Sequence, residues 1–566
     1  MKPCMVSFEF MFNMKISQAK SYKILFVVQR LSDFVEMKRA SIGLKQFGYQ
    51  CHILFCGVDS TNHDLIVLKE IEKSIKQGEI DGVEIPHKEL SIVTEILSNK
   101  ILRKKRGTTV SANSQKSTKK KSDWIKKLYK IFGCRRVKTK IKKIMVLLSF
   151  TYTRFFIRTC LKRISLCKVY RYYSSKYHYY RAKYYQYIDQ FKQIKLMGYQ
   201  YKSKYFQFVE IIKSGQYKLI VLPEDIVGKV TPLIIKSGHT LKIPSLILPY
   251  TIANQSEAFQ ALKDRDEFQV NYDTCNKLFG IFFRSWVMKD DNRKVLRLPA
   301  GHVYGHIITG TSPPDPWMMN SGYANIIAIE NEKMFEYYRN SGIPASKMKI
   351  TGACYDDNLA YYYLNKEYER KKLYRELGIQ SDKPLFLLGG FPNQITANPP
   401  RFDFEDAEDA VDFIVDCVEV FKKDYEIIFR PHPNYLELSD LFTKKNILVT
   451  QIDTTRLVAL SDIYLAFASA TIRWAISCGI PTINYDMFYY DFSDYKNVQG
   501  VLNACTKEEF KLAINTMNQP EHFIAIKKQL DTEKRKWGNL DGKSTHRINE
   551  LVRDLIHLKK VPRKAY

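Results

Sequence analysis

The sequence predicts an α/β protein built from two doubly wound parallel-sheet domains, and three observations carry that prediction. Short apolar runs rich in branched residues alternate with helical patterns, the helical patterns stop at glycines, and polar residues gather directly after the apolar runs. At 566 residues the chain is also too long for a single hydrophobic core.

The first apolar run is 23–28, Lys-Ile-Leu-Phe-Val-Val. A helical pattern over 35–47 stops at Gly48, and a strand resumes over 52–55, which is the opening of a βαβ unit. The same grammar returns at 218–222 and 244–249, with a short helix over 231–237 between them that Gly238 closes. A second series starts with a strand over 326–329, a helix over 332–340 stopped at Gly342, and a strand over 349–352. After a charged helix, further strands are expected at 384–388, 426–429, 447–449, 463–467 and 481–484. These two series set the expected domains: 23–320, 321–540, and a C-terminal helix over 541–566.

The net charge of +30 is unevenly placed. Between Ile101 and Gln190 there are 26 Lys and Arg against two acids, Asp123 and Asp189, so +24 belongs to this stretch and the flanking halves are nearly balanced. The basicity is that of one inserted element, about 99–215, and no nucleic acid is expected as the partner of the whole protein. Arg103–Arg106 and Lys119–Lys121 bracket a Ser/Thr/Gln tract that cannot build a core. A basic helical pattern over 124–143 precedes an apolar stretch over 144–157, too short to cross a bilayer. That combination suits a helix lying at an anionic membrane surface; the alternative is a solvated arm whose apolar part packs on the first domain. The Tyr-dense stretch 170–205 reads as helical, its rings forming a packing surface. RNA binding by this insert is the non-enzyme alternative, together with a membrane-docked scaffold.

The 11 cysteines are scattered, without a Cys-x-x-Cys pair or zinc-type spacing, and read as small buried hydrophobes of a reducing compartment. Met1 to Ala19 does not read as a signal peptide, and because the first strand begins at Lys23, Met14 is an alternative start.

The residues that carry chemistry follow strands. Arg430-Pro-His-Pro433 is the strongest group: two prolines fix a turn that presents a guanidinium and the imidazole of His432 at a strand's carboxyl end. Both suit a phosphate leaving group. Ser469 and Thr471 enter a helix, where unpaired N–H groups can cradle phosphate or where the hydroxyls simply cap. Gly389-Gly390 with Asn393 and Gln394, Thr351-Gly352 with Asp356, and Asp486 are comparable strand-end loops. In the first domain, Glu224 and Asp225 follow a strand and are candidate general bases, with Glu257, Asp33 and Glu36 as rivals. Asp264-Arg-Asp266 matches a metal-binding D-x-D, but it lies in a charged helical run and reads as a solvated face.

Ile350-Thr-Gly352 with Asp356, Pro392-Asn-Gln394, Arg430-Pro-His-Pro433, and Ser469-Ala-Thr471 with Gly479-Ile-Pro481 occur in this order in bacterial surface-carbohydrate GT-B enzymes, which the chain resembles. These include capsule polysaccharide transferases, sialyl- and Kdo-transferases and CDP-glycerol glycerophosphotransferases, with the layout of the UDP-N-acetylglucosamine 2-epimerases. The resemblance implies two Rossmann-like domains, the first holding acceptor and base, the second a nucleotide-sugar donor. It implies a His-Pro motif on the donor phosphate, matched by His432-Pro433, and catalysis without a bound metal or other cofactor. It also implies a glycan or glycolipid acceptor at the cytoplasmic face of the cell membrane, to which the protein would attach peripherally. The family's acidic motif ends in glycine, whereas Glu224-Asp225-Ile226 reaches glycine only at Gly228, and Ser469-Ala470 replaces a Ser-Ser pair. A 2-epimerase-like isomerase and a polyol-phosphate transferase are the enzymatic alternatives.

Overall fold

The computed structural model describes residues 22–57, 61–85, 167–251, 255–290, 292–393, 395, 401–432, 435–490 and 494–557. The expectations for the tract 103–121, the basic pattern 124–143 and the apolar stretch 144–157 lie outside the described residues. The chain divides into two compact units, Met1–Glu89 with Ile194–Tyr566, and Leu90–Gln193. The described part of the second unit is the beginning of one long helix, Cys167–Gly215.

The larger unit holds two parallel sheets. The first takes β1 (Lys23–Val28), β2 (Gln50–Phe55), β3 (Gly82–Glu84), β4 (Leu219–Leu222) and β5 (Ser245–Ile247). A hairpin, β6 (Val287–Lys289) and β7 (Lys294–Leu296), is a separate pair, and β8 (Ile326–Ile329) and β9 (Met348–Ile350) complete the sheet. Its order is β3-β2-β1-β4-β5-β8-β9. The second takes β10 (Leu385–Gly389), β11 (Glu426–Arg430), β12 (Leu448–Val449), β13 (Ile463–Ala466), β14 (Thr482–Tyr485) and β15 (Val501–Ala504), in the order β12-β11-β10-β13-β14-β15. Each sheet is wound outward in both directions from a central strand, β1 or β10, which is why the central strands are apolar on both faces.

One placement differs from the expected domains. β8 and β9, assigned to the second series on sequence, extend the first sheet: Ile327 pairs with Ile247, and Asn325 Oδ1 accepts the backbone N–H of Ser245 at 2.9 Å. Strand spacing alone does not say which sheet a strand joins. The crossing to the second sheet is made later, by the helices Cys354–Leu364 and Lys366–Glu376. Gly238 is a second correction. The helix Thr231–Thr240 runs through it, and a Cβ there would stand 2.7 Å from Ile220 Cδ1, so this glycine serves close helix–strand packing rather than a stop. The Tyr-dense stretch is indeed helical, but among its described side chains the buried residues form a narrow stripe, Ile194, Gly198, Tyr201, Phe208 and Ile212. Tyr179, Tyr180, Tyr185 and Tyr199 stand in solvent, so the expected packing surface is much narrower than the aromatic content suggested.

The two sheets are joined by polar contacts, the most buried of them made by one arginine. Arg473, on the helix Ile472–Ser477, places Nη1 2.8 Å from Glu330 Oε2, directly after β8, and donates from Nη2 to the carbonyl of Tyr250, after β5. Arg473 and Glu330 are 2% and 4% exposed, so neither charge has water to fall back on. Arg39 reaches Asp453 at 2.9 Å, and Asn331 donates to the carbonyl of Trp537 at 2.7 Å. After the second sheet, the helix Pro520–Trp537 packs on the helix Glu332–Asn340, and Ser544–His557 packs on Leu31–Lys45, so these helices return to the first domain.

Truncating Arg473 to Ala strands a buried carboxylate and is expected to cost about 3–5 kcal/mol. Thermal denaturation checks this: Arg473→Ala and Glu330→Ala each lower the midpoint, while Arg473→Met with Glu330→Met recovers most of the loss. Full stability in the single variants contradicts a buried pair.

Candidate functional site

In a doubly wound sheet the loops that can hold a ligand lie at the carboxyl ends of the strands where the winding reverses. In the first sheet that reversal falls between β1 and β4, and side chains meet across it. Arg30, after β1, donates from Nη2 to Glu224 Oε1 and to Asp33 Oδ1, both at 3.2 Å. Lys229 Nζ closes on the same Glu224 oxygen. Glu224 is buried, its Oε1 is anchored by two cations, and no partner of Oε2 is found among the described residues. Tyr250 donates its hydroxyl to Asp33 Oδ1 at 2.6 Å. Asp33 also accepts the backbone N–H groups of Gln29 and Arg30 at 3.0 Å each, so it is fully used in holding the turn. Burial works against the charge of Arg30, but Tyr250, Asp33 and Glu224 outweigh it and hold its pKa above the usual value.

Asp225 turns the other way. Its backbone N–H donates to Asn320 Oδ1 at 2.7 Å, and the residue lines a small pocket with Thr311, Ser321 and Tyr323. Burial raises its pKa against the opposing charge of Lys347, whose own value burial pushes down to about 8. Glu36 is clasped by Arg39 at 2.9 and 3.1 Å and lines a second small pocket with Tyr250, Gly352 and Tyr355. Glu257 belongs to the helix Gln255–Gln260, and its side chain lies outside the described residues.

In the second sheet the reversal falls between β10 and β13. Gly390 donates its N–H to the carbonyl of Arg430 at 2.8 Å, and a Cβ on Gly390 would collide with the backbone of Pro431 and His432. Only glycine lets the loop after β10 lie against the loop after β11. Arg430 Nη1 donates to the carbonyl of Pro431 at 2.6 Å, and its buried Nε has no partner among the described residues. Burial lowers the pKa of Arg430, opposed by Tyr464 and Asp453. His432 is half-buried, and burial, helped by Arg430, depresses its pKa to about 4, so the imidazole is neutral near pH 7. Asp453 is the link to the first domain: it pairs with Arg39 and caps the helix Thr454–Leu460 at Thr455 N, 2.8 Å away.

Ser469 and Thr471 are joined in a hydroxyl chain, Tyr464 to Thr471 at 2.6 Å and Thr471 to Ser469 at 2.8 Å. Ala468 takes a left-handed φ of 46° and donates its N–H to Asn484 Oδ1 at 2.9 Å. Asp486 is buried and accepts from Tyr490 N at 3.1 Å, bracing its own loop. Asn393 is exposed, and Gln394 lies outside the described residues. Thr351 and Gly352 are not brought to the Arg430 turn. They follow β9 at the edge of the first sheet, where Arg547 donates to the carbonyl of Thr351 at 2.7 Å.

Asp264 and Asp266 stand in a turn and a short 3₁₀ segment rather than the expected helix, with Asp264 paired to Arg293 in solvent. Among the described residues, no group of three or more His, Cys, Asp and Glu is placed to hold a metal ion. Sequence reasoning missed Arg30, Lys229, Tyr250 and Arg473. Arg30 lies two residues past the first strand, a position that could have flagged it; the others are isolated residues whose meeting depends on the fold.

No protein-family model matches the chain, and no curated protein matches it by sequence. Among solved structures, the wall teichoic acid polymerase TagF is 17% identical over 41% of this chain, with a TM-score of 0.33, and the chain spans 56% of its length. A UDP-GlcNAc 2-epimerase from Neisseria meningitidis is 9% identical, covering 94% of this chain and 100% of its own, with a TM-score of 0.45. A glycosyltransferase from Rickettsia africae is 11% identical over 95% of this chain and 100% of its own, with a TM-score of 0.39. All three likenesses are distant. The chain's own strand orders, its facing carboxyl edges and its returning C-terminal helices define the class: a two-domain α/β protein of GT-B architecture.

The depressed basicity of His432 has a pH consequence. The unfolded chain takes up this proton below about 6.5, the folded protein only near 4, so stability is lost as pH falls through that window. His432→Asn is expected to flatten the decline by up to about 1.4 kcal/mol per pH unit. Melting temperatures of both proteins across pH 6.5 to 4 check this; identical slopes contradict a buried imidazole.

Proposed function

We propose that the protein is a glycosyltransferase that moves a sugar from a nucleotide-sugar donor to a membrane-associated surface glycan. The second domain holds the donor, and the first holds the acceptor and the base. The observation that supports this reading is the contact between the two sets of strand-end loops, through Arg473 with Glu330 and Tyr250 and through Arg39 with Asp453: one set carries a guanidinium and a neutral imidazole, the other a carboxylate held by two cations. Phosphate oxygens gain negative charge as the sugar–oxygen bond breaks. Arg430 supplies a positive charge there, and His432 can supply an N–H donor.

Glu224 is the better base of the adjacent pair. Oε1 is held in place by Arg30 and Lys229, leaving Oε2 to take the proton of the attacking hydroxyl, whereas Asp225 lines a separate pocket beside Ser321 and Tyr323. In a direct displacement, the acceptor oxygen loses its proton to Glu224 and bonds the anomeric carbon while the nucleotide phosphate departs toward Arg430. For Ser469 and Thr471 to meet a phosphate, they would have to exchange their mutual hydrogen bond for it. The concentration of +24 between residues 101 and 190 supports peripheral attachment to an anionic membrane.

The test begins with melting shifts on adding CMP, UDP, GDP or CDP, since a ligand that binds the folded state raises the midpoint. With the donor identified, Arg430→Ala and His432→Ala are expected to lower kcat/KM by roughly 100-fold or more. Glu224→Gln should abolish turnover while keeping the nucleotide shift. Intact turnover in His432→Ala counts decisively against the reading. Donor consumed without acceptor, giving an isomeric nucleotide sugar, would make the protein an epimerase; transfer of a polyol phosphate would make it a phosphotransferase.

A further inference from the structure

On the first domain, between β5 and β8, the helix Thr274–Phe282 is held on its inner side and bare on its outer side. Asn276, 2% exposed, fixes it: Nδ2 donates to the carbonyls of Glu267 and Gln269 at 3.0 and 3.1 Å, and Oδ1 accepts the N–H of Ala300 at 2.9 Å. Cys275 packs with Ile194 and Ala300, and a Cβ on Gly280 would already touch Val270 and Val287. The helix is therefore rigid. Its outer face nonetheless presents Leu278, Ile281 and Phe282 at 37%, 56% and 59% exposure. Three large apolar side chains together on a fixed helix are costly in water and mark a contact surface.

The surrounding charge says what kind of surface they meet. Lys277 on the helix and Arg284 just beyond it are exposed and make no ion pair among the described residues. In the hairpin that follows, Lys289 and Lys294 are directly opposite each other, a like-charge pairing that weakens a hairpin unless an anion lies against it. The nearby carboxylate of Asp290 is occupied by its own turn, accepting the N–H groups of Asn292 and Arg293 at 3.0 and 2.7 Å. A second copy of the chain is a poor occupant, because a two-fold contact would set these cations against themselves.

We propose that the outer face of the helix Thr274–Phe282 docks on an anionic bilayer, with Leu278, Ile281 and Phe282 entering the boundary below the headgroups and Lys277 and Arg284 meeting lipid phosphates. This deepens the membrane-acceptor reading above and gives it a location outside the basic stretch. The arrangement is that of an interfacial helix, apolar residues inserted and cations at the headgroups. Among the described residues no helix is long and apolar enough to cross a membrane.

The experiment uses the full chain with vesicles of phosphatidylcholine alone and of phosphatidylcholine mixed with phosphatidylglycerol, at low salt and at salt high enough to screen the basic stretch. Wild-type protein should sediment with the anionic vesicles and keep a salt-resistant fraction. Ile281→Ser with Phe282→Ser should lower that fraction roughly tenfold or more with an unchanged melting temperature. Lys277→Glu with Arg284→Glu should weaken binding and its salt dependence. As a reporter, Phe282→Trp should shift its emission to the blue on anionic vesicles and be quenched by brominated lipid. The proposal is overturned if the serine pair binds as wild type, if the tryptophan is not quenched, or if the serine pair instead dissolves a concentration-dependent dimer. Vesicle binding needs no donor and the nucleotide melting shift needs no vesicle, so failure here is distinguishable from failure of the glycosyltransfer reading.

Discussion

A single buried guanidinium holds the site in shape. Arg473 comes from the helix that follows the loop after β13, yet its charge is spent on Glu330 and on the Tyr250 carbonyl, both on the first sheet. Tyr250 in turn bonds Asp33, which fixes the turn that aims Arg30 at Glu224. The carboxyl edge of one sheet is thus positioned by a residue of the other. A surface ion pair could not do this, because water would screen it and the side chains would keep their freedom. Buried, the pair favours one relative placement of the sheets, since any other leaves a carboxylate unpaired in apolar surroundings, where burial already raises the pKa of Glu330.

That constraint explains the division of labour between the edges. On the first, acids and bases pair closely: two cations hold Glu224 Oε1, while Asp225 Oδ2 is buried without a hydrogen-bond partner among the described residues. On the second there is little counter-charge: Arg430 has a buried Nε without a partner, His432 is neutral, and the nearest carboxylate, Asp453, is held by Arg39. A positively biased turn facing a cluster that contains a base is an arrangement suited to an anionic leaving group on one side and a hydroxyl on the other.

Much of the fold was legible in the sequence because parallel strands buried on both faces read as continuous apolar runs. β1, β8 and the helix Glu332–Asn340 fall where the pattern placed them. Sheet membership was not legible, since Ile326–Ile329 would serve equally well in either sheet, and the outcome depends on Asn325 and Ser245 meeting across 80 residues. The Arg430 turn could be read from its prolines. Thr351-Gly352 carried the same kind of signal, yet it packs beneath the C-terminal helix rather than beside that turn. The strands β3, β6, β7 and β15 are each broken by a glycine, a charged residue or an asparagine, so they do not read as continuous apolar runs. Lys229 and Tyr250 were invisible for a different reason: each is an ordinary residue until the winding of the sheet brings it to Glu224 or Asp33.

Amide hydrogen exchange with and without the nucleotide that raises the melting point would test the central claim most directly. If the clamped edges form one site, the bound nucleotide slows exchange around 389–393 and 430–432 and, through the Arg473 contact, in the loops holding Arg30, Glu224 and Tyr250. Protection confined to a surface away from both strand-end edges, or none at either, would contradict it.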